Sequence, residues 1–351
     1  MTGASAVRDA ATAACSAVLC AGLILLLYPA LRRYALAKPN ARSSHHQPTP
    51  QGGGIAVIAA TIAAACLGLF GFGTAPAPLS ATVLAAVVLM AAIGAVDDIR
   101  SLDVAPRLAL QAVAVAAVIW SLPADLRALP VTPFWLDRLV LFVAGLWFVN
   151  LVNFMDGIDW MTVAEVVPIA AALVGLGYLG ALPPACVVVA AALGGAMIGF
   201  AFFNRPVATL FLGDVGSLPI GLLLGWLLVL LAGSGYLAAA LLLPLYYLAD
   251  ATLTIIRRLF RGEPIWRAHR THYYQLATER GFSVSEVVAL VFLVNLGLGA
   301  LAAATVIVPG RLSAIAALIA GALIVTGLLA VLAKGRKQAP AAPSRENGRL
   351  T

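Results

Sequence analysis

Gly216-Ser-Leu-Pro-Ile-Gly-Leu-Leu-Leu-Gly-Trp-Leu-Leu-Val-Leu-Leu-Ala232 contains no charged side chain, and its reading decides what kind of protein this is. As a helix rising 1.5 Å per residue it reaches about 26 Å, close to the ~30 Å hydrocarbon core of a bilayer. Outward from it lie ten more stretches of the same character: Ala10 to Leu31, Gly53 to Phe72, Leu79 to Val96, Ala105 to Leu122, Phe134 to Asn153, Thr162 to Tyr178, Pro184 to Phe203, Tyr236 to Ile256, Val284 to Val308 and Leu312 to Ala333. Of the 351 residues 62% are hydrophobic and only 11% charged, against about 25% charged in soluble domains. A soluble enzyme is therefore excluded. Lipid tolerates only backbones that satisfy themselves, as helices or closed barrels, and no ten-residue alternation recurs here. The expected fold is an all-α integral membrane protein, a polytopic bundle of about 11 transmembrane helices over residues 1–333. The tail over residues 334–351, rich in Pro, Ala and charge, is expected to be disordered.

The net charge of +7 must be placed before it is interpreted. If the segments after odd-numbered spans face the cytoplasm, only Arg8, Arg127, Arg138 and Arg311 of the 22 Lys and Arg fall outside. The positive-inside rule then puts the N-terminus outside and the C-terminal tail in the cytoplasm, and the charge requires no nucleic acid. The first span exceeds the apolar length of a signal peptide and is followed by Arg32 and Arg33, as in a retained anchor. Cys15, Cys20, Cys66 and Cys186 lie in apolar stretches without paired spacing, which indicates neither disulfides nor a zinc cluster. No internal repeat is apparent, which disfavours a transporter built of inverted halves.

The same alternation collects Asp97, Asp98, Asp103, Asp156, Asp159, Glu165 and Asp214 on the basic face, where charge sorting does not explain them. Carboxylates at helix ends inside a bundle point to function, and a bound cation would explain the cluster. Asp97-Asp98 places two diverging carboxylates at the end of the third span, suited to Mg²⁺ and a second partner, or equally to a helix cap and a surface pair. Asn150-x-x-Asn153-x-x-Asp156-Gly157-Ile-Asp159 spaces four polar residues by three. Each step drifts about 60° round a helix, so a bend at Gly157 is needed to aim Asp156 and Asp159 at one site; helix packing accounts for the two Asn but not for the carboxylates. Phe211-Leu-Gly213-Asp214-Val-Gly216-Ser217 fits a metal-binding turn or an N-cap by Asp214 or Ser217. Pro48-Thr-Pro-Gln-Gly52-Gly53-Gly54 enters the second span either as an anion cradle of free N–H groups or as a flexible loop, with Lys38, Arg42, His45 and His46 upstream. Trp266-Arg267-Ala-His269-Arg270-Thr-His272-Tyr-Tyr-Gln275 offers Arg and His to a pyrophosphate; zinc is the weaker reading because only a pair of ligands is available locally. Asp250, in the ninth span, either pairs with Arg257 or lines the site.

Taken in order, His45-His-Gln-Pro-Thr-Pro-Gln-Gly-Gly-Gly54, Asp97-Asp98, Asn150-x-x-Asn153-x-x-Asp156-Gly-Ile-Asp159, Phe211-Leu-Gly-Asp214-Val-Gly-Ser217 and His269-Arg-Thr-His272 resemble the polyprenyl-phosphate N-acetylhexosamine-1-phosphate transferase family, from Lys38 to Gln275. The resemblance implies transfer of a sugar 1-phosphate from a UDP-N-acetylhexosamine to undecaprenyl phosphate, with release of UMP. It implies Mg²⁺, with Mn²⁺ as a substitute, at the cytoplasmic face of the bacterial inner membrane. It implies catalytic roles for Asp97, Asp98, Asp156 and Asp159, metal binding by Asp214, Asp98 and Asn153, and substrate contacts from His45, Gly53, Asn150, Asn153, Arg267, His269, Arg270 and His272. Eleven spans with an external N-terminus look like the O-antigen branch of the family. Two departures bear on the sugar: Trp160 stands where the family's motif ends in Gly, and His269-Arg-Thr-His272 replaces contiguous histidines. That form looks like enzymes that use N-acetylated deoxyhexosamines such as N-acetylfucosamine or N-acetylquinovosamine, with N-acetylglucosamine as the other donor and a peptidoglycan or GlcNAc-1-phosphate transferase as the alternative within the family. The expected partners are both substrates and membrane lipid, with homodimerisation left open and a lipid-linked sugar transporter or flippase as the rival.

Overall fold

A computed structural model describes residues 3–37, 48–71, 80–264 and 269–336. Among them the chain is nearly all helical: α1 (Gly3–Tyr34), α2 (Gly53–Phe70), α3 (Ala81–Ile99), α4 (Val104–Trp120), α5 (Phe134–Met155), α6 (Met161–Tyr178), α7 (Pro184–Ala201), α8 (Asp214–Gly233), α9 (Leu237–Leu242), α10 (Leu245–Phe260), α11 (Tyr273–Glu279), α12 (Val284–Ile307) and α13 (Arg311–Lys334). A two-residue antiparallel ladder, β1 (Leu36–Ala37) with β2 (Thr49–Pro50), closes the segment between α1 and α2. Nine of the described helices are long and apolar enough to cross a membrane, so this is a multi-pass membrane protein.

All eleven expected spans fall on helix, with two differences. α4 has only 17 residues. The stretch Tyr236 to Ile256, expected as one span, is broken into α9 and α10 at Leu243 and Pro244, because proline has no N–H to give to the preceding turn. α10 then buries Tyr246, Tyr247, Asp250, Ala251, Thr254 and Arg258, a polar helical face that no lipid-facing segment would carry. The helix α11, not expected from the sequence, starts after His272, whose backbone N–H faces the Gln275 side-chain oxygen at 3.4 Å, and α12 is started by Ser283 and Glu286 in a capping box.

At the centre stands α8, packed against α2, α3, α5 and α9 and buried over 89% of its apolar window, against 22% for α1. Its glycines permit backbone contact: a Cβ on Gly54 of α2 would sit 2.2 Å from the Gly216 Cα, and one on Gly94 of α3 would sit 2.2 Å from the Asp214 carbonyl oxygen. Such close approach between helices is how membrane bundles gain van der Waals contact when lipid is as apolar as the side chains.

The connections sort to two ends of the bundle, as the alternation of charge requires. At one end Gln51 pairs with Phe211, Asn153 with Asp214, Asp159 with Ala208, and Arg336 with Arg280. At the other, Asp9 of α1 meets Tyr178 of α6, Arg138 reaches Pro123, and Gly233 abuts Leu126. Arg8, Arg127 and Arg138 belong to this second end, away from the motifs.

Candidate active site

Gly213 has no side chain with which to cap α8, and its φ of 77° is one that glycine adopts freely. The cap comes from another helix: Asp98 of α3 accepts from the Asp214 N–H at 2.9 Å and the Val215 N–H at 3.1 Å, one oxygen to each. A Cβ on Gly213 would lie 2.5 Å from the Asp98 carboxylate, so the glycine and the acid require one another. Neither Asp214 nor Ser217 is the N-cap. Asp98 thereby fixes the position of Asp214.

Around Asp214 the other motifs converge. Asn153 Nδ2 donates to Asp214 Oδ1 at 2.8 Å and to Ser217 Oγ at 2.9 Å. Arg107, in the first turn of α4, is 3.6 Å from Asp214 Oδ2 and 2.5 Å from Asp97 Oδ2. Asp97 also accepts from the Leu102 N–H at 2.6 Å. Two adjacent carboxylates thus share one guanidinium, and the Asp214 side chain is 28% exposed to a cavity.

Helix α5 ends at Met155, and Asp156 takes up a non-helical backbone, the break expected near Gly157. Asp156 accepts from Thr162 Oγ1 at 2.5 Å. Burial pushes its carboxyl up to about 6, Thr162 offsets part of this, and Asp98 and Asp159 add repulsion. Asp159 accepts from the Ala208 N–H at 3.0 Å, tying the α5–α6 turn to the α7–α8 connection. Trp160 follows with φ 63°, the one described non-glycine in the left-handed region. Its backbone N–H donates to Asn204 at 2.8 Å and its indole N–H to the Ala201 carbonyl at 2.6 Å.

His269 and His272 stack with ring centroids 4.9 Å apart instead of converging on a metal. Burial, helped by His272, Arg258 and Arg257, pushes His269 down to about 4. Arg257 donates to the Thr271 carbonyl and covers the Tyr273 ring, which leaves Asp250 to other partners. Arg270 lies 4.0 Å from Glu279.

These groups border a cavity of about 700 Å³. Arg107, Asn150, Asn153, Asp214, His269 and His272 are its polar lining; Val104, Leu108, Val143, Leu146, Trp147 and Ile255 are apolar. Asn150 also bonds Gln111 of α4 at 2.9 Å, so it joins two helices as well as lining the cavity.

Three expectations need correction. Gly53 and Gly54 do not present free N–H groups: they donate to the Phe211 and Leu212 carbonyls at 2.9 and 2.8 Å, and a Cβ on Gly53 would meet Phe200 at 2.6 Å. The glycine run is for packing, and Gly53 has no donor left for a substrate. Glu165 is buried in α6 against Asn295 of α12 at 2.6 Å, outside the cavity. Asp250 pairs with His272 and α11 in place of Arg257. His45 and Arg267 lie outside the described residues. Arg107, read from the sequence only as a topology charge, belongs to the site; its signal was a cation one turn inside an apolar helix.

Mg²⁺ is commonly held by one or two carboxylates together with substrate phosphates. Among the described residues no three His, Cys, Asp or Glu side chains form a cage, while Asp214, partly exposed to the cavity with Asn153 beside it, offers oxygen to a cation of that kind.

Residues 80–232 match the profile of glycosyl transferase family 4. The chain is 30% identical to a decaprenyl-phosphate N-acetylglucosaminephosphotransferase of Mycobacterium leprae over 92% of its own length and 88% of the relative's. It is 26% identical to a probable undecaprenyl-phosphate N-acetylglucosaminyl 1-phosphate transferase of Bacillus subtilis, over 78% and 79% of the two chains. It is also 34% identical to a phospho-N-acetylmuramoyl-pentapeptide-transferase of Trichormus variabilis, over 56% and 58%.

Proposed function

This chain belongs to glycosyl transferase family 4, and from that premise we propose that it transfers an N-acetylhexosamine 1-phosphate from a UDP-sugar to undecaprenyl phosphate at the cytoplasmic face of the bacterial inner membrane. The product would enter O-antigen or related envelope polysaccharide; the His269-Arg-Thr-His272 form is the ground for a 6-deoxy donor, and N-acetylglucosamine, named for the relatives, is the alternative. The observation that carries the reading is the mixed lining of the cavity: its polar groups suit phosphates, and its apolar ones suit the first isoprene units of an amphiphilic acceptor.

The chemical problem is to join two anions. An oxygen of the lipid phosphate attacks the sugar-bearing phosphorus in line, the bond to the bridging oxygen of the diphosphate breaks, and UMP leaves with that electron pair. Little covalent work is asked of the protein; positioning and charge neutralisation must supply the rate. Asp214, held by Asn153 and by the Asp98 cap, is the residue proposed to hold Mg²⁺, with Asp97 beside it on the far side of Arg107. Mg²⁺ bound there would neutralise diphosphate oxygens. Arg107 balances the two carboxylates and adds a fork of donors at the cavity edge. His269 and Arg270 would face the sugar nucleotide. Asp156, in its buried and repelled setting, keeps a proton to higher pH than an ordinary carboxyl and can exchange one near neutrality.

The test is UMP release by purified protein with undecaprenyl phosphate and Mg²⁺ across a panel of UDP-N-acetylhexosamines that includes 6-deoxy sugars. Lipid-dependent, chelator-sensitive release is expected. Its absence with every donor, in protein shown to be folded, would overturn the reading and favour the transporter.

A further inference from the structure

Asp250 is fully buried in α10 and gathers five partners. Its two oxygens take the first two backbone N–H groups of α11, Tyr273 to Oδ1 at 3.0 Å and Tyr274 to Oδ2 at 3.2 Å. Tyr246 Oη is 3.1 Å from Oδ2, and Thr254 Oγ1 is 3.3 Å from Oδ1. His272 Nδ1 is 3.2 Å from Oδ1. An N-cap for α11 needs only two of these contacts. The one onto an imidazole nitrogen is the contact that bears on chemistry, because His272 also lines the cavity.

We propose that Asp250 is the positioning residue of His272: it holds the proton on Nδ1 and so leaves Nε2 as the nitrogen that donates to, or accepts from, the substrate.

Backbone N–H groups can only donate, so both Asp250 oxygens act as acceptors. A bare Nδ1 lone pair at 3.2 Å would set two acceptors against each other; a protonated Nδ1 makes the contact favourable, and a bond to a carboxylate is among the stronger ones available. The competing claim on the ring comes from Gln275, whose N–H faces the His272 side chain and would use Nδ1 as an acceptor. In that alternative Nε2 carries the proton. His272 is further confined by Tyr274, stacked at 5.7 Å, and by His269 at 4.9 Å, so the ring has little freedom to exchange its two nitrogens. A carboxylate behind a histidine, fixing tautomer and orientation, is a recurrent arrangement where the distal nitrogen works on a substrate or a metal.

For its activity readout the inference rests on the transferase reading, and the decisive measurement is independent of it. The chain has four histidines, so ¹⁵N-histidine labelling of the full-length protein in detergent gives a spectrum that His269→Gln and His272→Gln assign. Wild-type protein is expected to show His272 with Nδ1 protonated. A wild-type His272 with bare Nδ1 and protonated Nε2 would overturn the proposal without any Asp250 variant. In Asp250→Asn, whose amide can donate to Nδ1, the His272 signals are expected to move toward the other tautomer and turnover to fall about 10- to 100-fold. The double variant with His272→Gln should be no slower than His272→Gln alone. Additive losses, or unchanged His272 signals in folded Asp250→Asn, would reduce Asp250 to a helix cap. If wild-type protein shows the expected tautomer but no UMP release, the transferase reading fails and the assignment of Asp250 stands.

Discussion

Gly94→Ala tests whether the packing of α3 on α8 sets the chemistry. Its Cβ would lie 2.2 Å from the Asp214 carbonyl oxygen, 2.3 Å from the Asp214 carbonyl carbon and 2.4 Å from the Val215 nitrogen. Non-bonded carbon contacts settle at about 3.5–4.0 Å, so the helices must separate by roughly 1 Å or more at this point. All three atoms are backbone, and no rotamer change relieves the clash. The Asp98 bonds to the Asp214 and Val215 N–H groups, 2.9 and 3.1 Å, would be stretched beyond useful length. Overpacking of this kind costs about 1–3 kcal/mol of stability, while a misplacement of about 1 Å at a reacting site can cost about 100-fold in rate. The expected signature is therefore a modest fall in thermal stability in detergent with a loss of UMP release near two orders of magnitude. Gly22→Ala is the control: nothing lies within 4 Å of its Cβ, so full activity is expected with stability unchanged or raised by up to about 1 kcal/mol. Wild-type turnover in Gly94→Ala would refute the idea that the α3–α8 contact positions Asp214.

Asp214→Asn is expected to lower turnover about 100- to 1000-fold and to weaken its dependence on Mg²⁺ concentration; a metal titration of the variant that superimposes on wild type would remove Asp214 from the metal site. At Trp160, φ 63° costs any L-residue about 1–2 kcal/mol, so Trp160→Ala should be less stable than Trp160→Gly by that amount, and equal unfolding temperatures would show that the turn relaxes. His269 is pushed down to about 4 from an ordinary 6.5: the unfolded chain takes up a proton as pH falls through 6.5 and the folded one does not until about 4. Its contribution therefore lowers folded stability as pH falls across that window. Folded protein at pH 6 should hold a neutral His269, read by ¹⁵N shifts, and a charged one would contradict the burial and cationic surroundings seen here.

The helices and the end of the bundle that holds the motifs were legible because both rest on strong, local signals: runs of apolar residues and the placement of Arg and Lys. The break at Pro244 was legible in principle, since proline within a run of helix withdraws a donor, but the run around it is apolar throughout and reads as one span. Less legible were choices that depend on what lies opposite. Gly52-Gly53-Gly54 reads equally as an anion cradle or as a loop until Phe211 and Leu212 are seen to take its N–H groups. Asp98 and Asp214 read as similar carboxylates on different spans, and only the 2.9 Å bond between them shows that one serves the backbone of the other. Arg107 could not be told from a topology charge, because a cation beside a span serves both purposes.

Asp98 and Asp250 share a device. Each is a buried or half-buried acid on one helix whose two oxygens take the first two N–H groups of another, α8 in one case and α11 in the other. The helix so capped carries the residue that faces the cavity: Asp214 at the first position of α8, His272 at the cap of α11. An acid used this way satisfies donors that would be costly to leave bare within a bundle, and it ties the position of a cavity residue to the packing of a helix. Fold and site then cannot be perturbed separately. Loss of either acid removes a helix cap and displaces a polar group by the same act, which is why the tests at Gly94 and Asp250 pair turnover with a second readout, thermal stability at one and a histidine tautomer at the other.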